Sequence, residues 1–120
     1  MTKYALLILL FSLNVFAAPS GDAEARRWEL LDAVHTGNHD YVVRNLAHLT
    51  KWNLYEAAAV AAEVRNQQIL NELVGRGVQL GTLVVFVRFL WIRNGGTVAT
   101  LPRNFQRTID YIQAPQRVDT

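Results

Sequence analysis

An internal repeat is the feature that most limits how this chain can fold. Asn38, Asn66 and Asn94 follow one another at intervals of 28 residues. The helical segments on either side of them also align at this interval, pairing Ala33 with Ala61, Val42 with Leu70 and Leu46 with Val74. Two short helices joined by a tight turn and repeated at about this length are typical of a solenoid, in which each unit stacks on the next.

The clearest copy of the unit lies at residues 61–78, with the sequence AAEVRNQQILNELVGRGV. It resembles the two-helix core of an ankyrin repeat in its Ala-Ala pair, in the Ile69-Leu70 pair that opens the second helix, and in its closing glycine. Residues 33–46 look like a more degenerate copy. The interval is shorter than the family's usual period of about 33 residues, so the projecting β-turn would be trimmed. The resemblance implies stacked helical hairpins that bind proteins.

Hydrophobic spacing and helix-end signals predict the same architecture. We expect an all-α fold of short stacked helix-turn-helix repeats, ankyrin-like, with two good units and a degenerate hydrophobic third. Asp22 is a candidate N-cap for the first helix, the second opens near Asp40, and Asn53 is a candidate N-cap for the third. Pro102 suits the first turn of a last helix over 103–113.

Residues 82–101 allow two interpretations. The stretch from Leu83 to Ile92 is apolar nearly all round, so periodicity does not separate a buried helix from a strand. Asn94-Gly95-Gly96 then either closes that helix or forms a hairpin turn before a return strand over 97–101. A transmembrane helix is disfavoured, because the run is shorter than about 20 residues and contains Arg88.

The N-terminus has the three parts of a secretory signal peptide. Lys3 precedes an apolar run of about a dozen residues, and Val15 and Ala17 suit the positions before a cleavage site. We therefore expect a signal peptide at 1–17, with the mature chain starting at Ala18. A mobile leader at 18–23, a helical repeat domain at 24–113 and a polar tail at 114–120 complete the expected organisation.

Composition excludes several classes of function. The chain has no cysteine, so it has no disulfide, thiol nucleophile or cysteine-bound zinc. Its formal net charge of +2 gives no electrostatic case for nucleic acid. The serines are Ser12 and Ser20, both upstream of the expected repeat domain, which excludes a serine hydrolase there. A cysteine-free exported protein suits the periplasm, or the extracellular space with a host cytosol as its destination.

Two groups of polar residues have both a chemical interpretation, as a metal or acid–base site, and a simpler one as exposed surface residues. His35 and His39 have the spacing of two ligands on one helical face, with His48 nearby, but the turn at residues 37–38 breaks that face. We expect turn or surface histidines. Glu56 and Glu63 share a helix face, which we expect to be a solvated edge and not an acid–base pair. The sequence therefore predicts no catalytic residue, no metal site and no cofactor.

The segment between the two best repeats is the candidate partner contact. It holds Lys51, Trp52, Asn53 and Tyr55, and aromatic residues are enriched at binding hot spots. We therefore expect a secreted, non-catalytic protein–protein interaction module, either a host-directed effector or a periplasmic binding or inhibitor protein. Its partner would be a protein and not nucleic acid. The alternative is a small membrane-surface or membrane-inserting protein that uses residues 83–92.

Overall fold

A computed structural model describes residues 21–93 and 95–114. Six α-helices follow one another along this part of the chain: α1 Gly21–Thr36, α2 His39–Asn45, α3 Lys51–Glu63, α4 Gln67–Gly75, α5 Leu80–Arg93 and α6 Arg103–Gln113. Two 3₁₀ turns, Leu46–His48 and Val98–Thr100, lie after α2 and before α6. The described residues contain no strand, which confirms the all-α prediction. The expected signal peptide at 1–17 and tail residues 115–120 lie outside the described residues.

Several helix starts differ from those expected. Helix α1 begins at Gly21, so residues 21–23 of the expected leader are helical and Asp22 does not precede the helix. Helix α3 begins at Lys51, because the Thr50 side chain accepts a hydrogen bond from the Asn53 backbone N–H at 3.1 Å. Asn53 therefore lies inside the helix, and its prediction as the N-cap was wrong.

The first two helical hairpins repeat the same turn. The N–H of Gly37 bonds the carbonyl of Val34, and the N–H of Asn38 bonds the carbonyl of Ala33. Twenty-eight residues later, Arg65 and Asn66 bond the carbonyls of Ala62 and Ala61 in the same way. This pair of bonds is the Schellman motif, which ends a helix with a residue in the left-handed region. Gly37 has φ 80° and Arg65 has φ 60°, as the motif requires.

Each of these turns leads directly into the next helix. The side-chain oxygen of Asn38 accepts from the N–H of Tyr41 at 3.2 Å, and that of Asn66 accepts from Ile69 at 3.0 Å. Two of the three equally spaced asparagines are therefore N-caps, which satisfy a backbone donor that the helix itself leaves open. In these two hairpins the 28-residue repeat therefore marks the point where one helix ends and the next begins.

The turn that follows α5 contains the same pair of hydrogen bonds, two residues later than the 28-residue interval would place them. Gly95 and Gly96 donate to the carbonyls of Ile92 and Trp91, and Gly95 has φ 94°. Gly96 is thus equivalent to Asn66 at a distance of 30 residues, while Asn94 lies outside the described residues. Gly95 and Gly96 close helix α5, and the hairpin interpretation of residues 82–101 was wrong.

Helix α3 forms the centre of the core. Every residue from Tyr55 to Ala62 is buried, and α1, α4, α5 and α6 all pack against this helix. Five of these residues are alanines: Ala57, Ala58, Ala59, Ala61 and Ala62. Because a methyl group occupies so little space, these alanines leave room for four helices to pack around α3. Helices α2 and α4 also contact one another, so each helix of the first hairpin contacts its counterpart in the second.

Helix α5 is apolar on both its inner and its outer side. Its core-facing residues are Leu83, Val84, Val87 and Leu90, all buried. Val85, Phe89 and Ile92 lie on the other side and are 62%, 40% and 46% exposed. This second apolar side is why hydrophobic periodicity alone did not identify the helix.

Candidate interaction surface

The start of α3 brings Trp52 to the molecular surface. Thr50 caps the helix, which places Trp52 in its first turn. The Trp52 side chain remains 43% exposed.

A buried carboxylate supports the indole from below. Arg27 donates from Nε to Oε1 of Glu56 at 2.7 Å, and from Nη2 to Oε2. Trp52 donates from Nε1 to Oε2 at 2.8 Å, and Asn53 donates from Nδ2 to Oε1 at 2.9 Å. Glu56 is 0% exposed, so four donors replace its water. We call Arg27, Trp52, Asn53 and Glu56 the polar clasp.

The polar clasp corrects the expectation for Glu56. We expected this residue on a solvated edge with Glu63, whereas its side chain is fully buried. The missing signal was Arg27, which precedes Glu56 by 29 residues and lies on another helix. Only the packing of α1 against α3 brings the two charges together. The local sequence contained only the spacing of Trp52 and Glu56, which lie four residues apart on one helix.

Two phenylalanines of α5 continue the surface beside Trp52. The Phe86 and Phe89 rings meet the indole edge-on, with centroids 4.9 and 6.3 Å away. Such edge-to-face pairs are favourable beyond the area that they bury. We define the aromatic face as Trp52, Phe86 and Phe89 together with the exposed Val85 and Ile92. It joins the predicted contact segment to the apolar stretch 83–92, two regions that belong to different functional hypotheses.

The four predicted contact residues occupy different depths. Lys51 and Trp52 are exposed, and Asn53 is half-buried in the polar clasp. Tyr55 is 7% exposed, and its hydroxyl accepts from the backbone N–H of Gln79 at 2.9 Å. Its ring lies 6.0 Å from that of Phe86. Tyr55 therefore supports the aromatic face from within, and Lys51 and Trp52 are the two that solvent reaches freely.

Positive charge flanks the aromatic face. At 100° per residue, Arg88 and Arg93 lie on opposite sides of the Val85–Phe89–Ile92 row. The Arg93 guanidinium carbon is 5.8 Å from the centroid of Phe89. Positive charge predominates between positions 73 and 114, where the charged residues are Arg76, Arg88, Arg93, Arg103, Arg107 and Asp110. Within α5 the charged residues are Arg88 and Arg93, and the helix carries no acidic residue.

The histidines do not converge on one site. His39 approaches Glu72 of α4 at 3.9 Å, whereas His35 and Glu63 line a separate cleft of about 510 Å³ between the ends of α1 and α3 and the start of α6. In the described part of the chain no three His, Asp or Glu residues form a group that would hold a metal ion. The side chain of His48 lies outside what the structure describes.

A second cleft of about 450 Å³ adjoins the polar clasp and includes Arg27, Tyr41 and Asn53 in its walls. The Tyr41 hydroxyl donates to Oε1 of Glu29 at 3.1 Å. Partial burial, and then this hydrogen bond and the charge of Glu29, raise the pKa of Tyr41 above its ordinary value. Through this hydrogen bond Tyr41 links α2 to α1.

Among the described residues, no single helix has the length and apolarity needed to cross a membrane. Helices α4 and α5 reach that length and composition only as a pair, and their axes meet at a bend of 111°.

No protein-family profile matches the sequence, and no curated protein or solved structure shows significant similarity to it.

Proposed function

We propose that this protein is an exported, non-catalytic protein-interaction module of divergent ankyrin-like helical hairpins. The repeated turn supports the architectural part of the proposal, because two Schellman motifs and two asparagine N-caps recur 28 residues apart. The contacts of α1 with α3 and of α2 with α4 also match the stacking of consecutive hairpins in a solenoid.

One observation carries the functional part: Trp52 is exposed and yet held in place. Its N–H is bound to the buried Glu56, and its ring is braced edge-on by Phe86 and Phe89. An aromatic side chain that is already ordered loses little conformational entropy when a partner covers it. Tryptophan and arginine are also the residues most enriched at binding hot spots. The aromatic face is therefore the binding surface that we propose.

Site-specific photo-crosslinking in the producing organism tests this proposal. A photoreactive benzoylphenylalanine replaces Phe89 on the aromatic face or, as a control, Asn71, which is exposed on α4. We expect a discrete crosslinked protein from position 89 and none of that mass from position 71. Adding Trp52→Ala to the position-89 variant should abolish the crosslink. Crosslinks that persist without Trp52, or that arise equally from position 71, would refute the proposal.

A thermal melt of Trp52→Ala must accompany this experiment. Because the side chain is partly exposed, we expect truncation to cost less than the roughly 3–5 kcal/mol of a fully buried tryptophan. Glu56 keeps its three other donors in this variant. A variant that melts far below the parent would identify Trp52 as a core residue instead of a contact.

Export is the cellular part of the proposal and rests on the sequence of residues 1–17. Mass spectrometry of the secreted or periplasmic fraction should find a chain that starts at Ala18. Intact Met1 in that fraction would reject cleavage at this position.

The second candidate function is attachment to a membrane surface. The exposure of Val85, Phe89 and Ile92 beside arginines favours it, since apolar and cationic residues together are typical of interfacial helices. Flotation with liposomes separates the two functions, because a protein-binding module stays at the bottom of the gradient whereas a membrane-bound protein rises with the lipid.

A further inference from the structure

We infer that the partner bound by the aromatic face is an amphipathic helix with acidic residues beside its apolar stripe. This inference rests on the proposed function, and it names the chemistry of the partner. It follows from the shape of the face, from the charge around it and from the orientation of Trp52.

The shape favours a helix. Val85, Phe89 and Ile92 recur at the i, i+4, i+7 spacing of one helical side and extend about 10 Å along the axis of α5. Trp52 and Phe86 widen this row on the side toward α3. A second helix laid alongside α5 contacts such a row over two turns, and its own apolar residues at the same spacing fill the row.

The charge favours acidic flanks on that helix. Arg88 and Arg93 lie on the two sides of the row, Lys51 lies next to Trp52, and α5 carries no acidic residue. Glu56, the carboxylate nearest to Trp52 in the sequence, is already bound by Arg27. Glutamates on either edge of a partner's apolar stripe would meet these cations. A second copy of this chain, docked by the same face, would instead place arginine against arginine.

The orientation of Trp52 favours a protein over a lipid surface. Tryptophans in membrane interfaces keep the polar N–H toward water and headgroups while the ring enters the apolar phase. Here the N–H is bound to the buried Glu56, while 43% of the residue remains exposed. A surface with its polar atom already satisfied suits a dry contact with apolar side chains of another protein.

A peptide selection with unbiased charge tests the inference. The probe is a display library of 21-residue helices with leucines fixed at one apolar stripe and with Glu, Lys or Gln equally represented beside it. Purified full-length protein is the bait, and the Phe89→Ala variant is used for counterselection. We expect glutamate to be enriched and lysine depleted beside the stripe, and the selected peptides to bind at least tenfold more weakly to Trp52→Ala and Phe89→Ala.

Charge exchange gives the sharper readout. Arg93→Glu should weaken the glutamate-rich peptides at least fivefold and strengthen their lysine-rich counterparts. Arg76→Glu is the matched control, because it makes the same change at an exposed site at the end of α4 and should leave both affinities within twofold. Circular dichroism of each variant confirms that it is folded. Equal effects of the two substitutions would overturn the role of the flanking cations.

The remaining outcomes separate this inference from the function on which it rests. Helices that need Trp52 but show no preference for glutamate would overturn the inference and leave the proposed function standing. If no peptide depends on Trp52 for binding and no protein crosslinks at position 89, both the inference and the proposed function are overturned. Flotation with phosphatidylglycerol vesicles that requires Phe89 would assign the face to a membrane, and dimerisation that requires Phe89 would assign it to a second copy.

Discussion

At the scale of single residues, the polar clasp is the most consequential arrangement. It joins α1 to α3 through one carboxylate with no exposed surface. Breaking a buried ion pair by removing one partner is costly, because the other charge stays in a medium of low polarity without compensation. The same carboxylate also fixes the indole of Trp52, so stability and the geometry of the aromatic face depend on one side chain.

We expect Glu56→Ala to lower the free energy of unfolding by about 3–5 kcal/mol, measured by urea denaturation. Glu72→Ala is the control, since Glu72 is about one-third exposed and its contacts with His39 and Arg76 are long, at 3.9 and 3.7 Å. Its loss should cost no more than about 1 kcal/mol. Equal, small losses in the two variants would contradict the structural role of the clasp.

Among the described residues, Arg65 is the non-glycine residue with a positive φ, a backbone conformation that strains an L side chain. It has φ 60° at the position where the first hairpin has Gly37. A side chain in the left-handed region costs roughly 1–2 kcal/mol, which glycine avoids. We expect Arg65→Gly to raise the free energy of unfolding by about 0.5–1 kcal/mol after the contact of its guanidinium with the Tyr111 ring is lost.

The Arg65→Ala variant separates the backbone from the side chain. It removes the same guanidinium but keeps a Cβ in the left-handed region, so the stabilisation should not appear. Thermal melts of the two variants beside the parent give the comparison. A gain of stability in Arg65→Ala as large as that in Arg65→Gly would show that side-chain loss, and not backbone relief, is responsible.

At the scale of helices, the alanines of α3 set the distance between the layers. Ala59 has no exposed surface, and a larger side chain there pushes a neighbouring helix outward. We expect Ala59→Leu to cost about 1–3 kcal/mol in a urea titration. Ala25→Leu, at an exposed position of α1, provides the same chemical change without confinement and should be close to neutral. A neutral Ala59→Leu would mean that α3 is not tightly enclosed.

Local signals predicted most of the helices and little of the surface that they build. The asparagines of the first two turns and the apolar pair of α4 are local signals, recognisable from a few neighbouring residues. The first two hairpins were therefore expected. Helix α5 stayed ambiguous because both of its sides are apolar. Glu56 was misplaced because its partner Arg27 lies on another helix, and such a pair appears only after tertiary packing. The same holds for Trp52 and Phe89, which are 37 residues apart.

At the scale of the whole molecule, the central helix changes what the repeats imply. In an ideal solenoid each unit contacts only its neighbours, so the repeats of a long array can unfold one by one. Here there are only three units, and the middle helix α3 contacts the first hairpin through α1 and the last through both α5 and α6, so neither outer hairpin can open without exposing α3. We expect one cooperative unfolding transition. Tryptophan fluorescence should follow it in each hairpin, since Trp28, Trp52 and Trp91 lie on α1, α3 and α5, and single-tryptophan variants with coincident urea midpoints would bear this out.

The enclosure of α3 also sets an order in time. Backbone amides exchange with heavy water only when the structure around them opens, and the slowest ones report the last part of the fold to open. Helices α1, α4, α5 and α6 must each move before the amides of residues 55–62 reach solvent. Those amides should therefore keep their protons longest, while α2, a helix of seven residues, exchanges early. The least conspicuous stretch of the sequence, a run of alanines, would then be the part of the molecule that survives every partial opening.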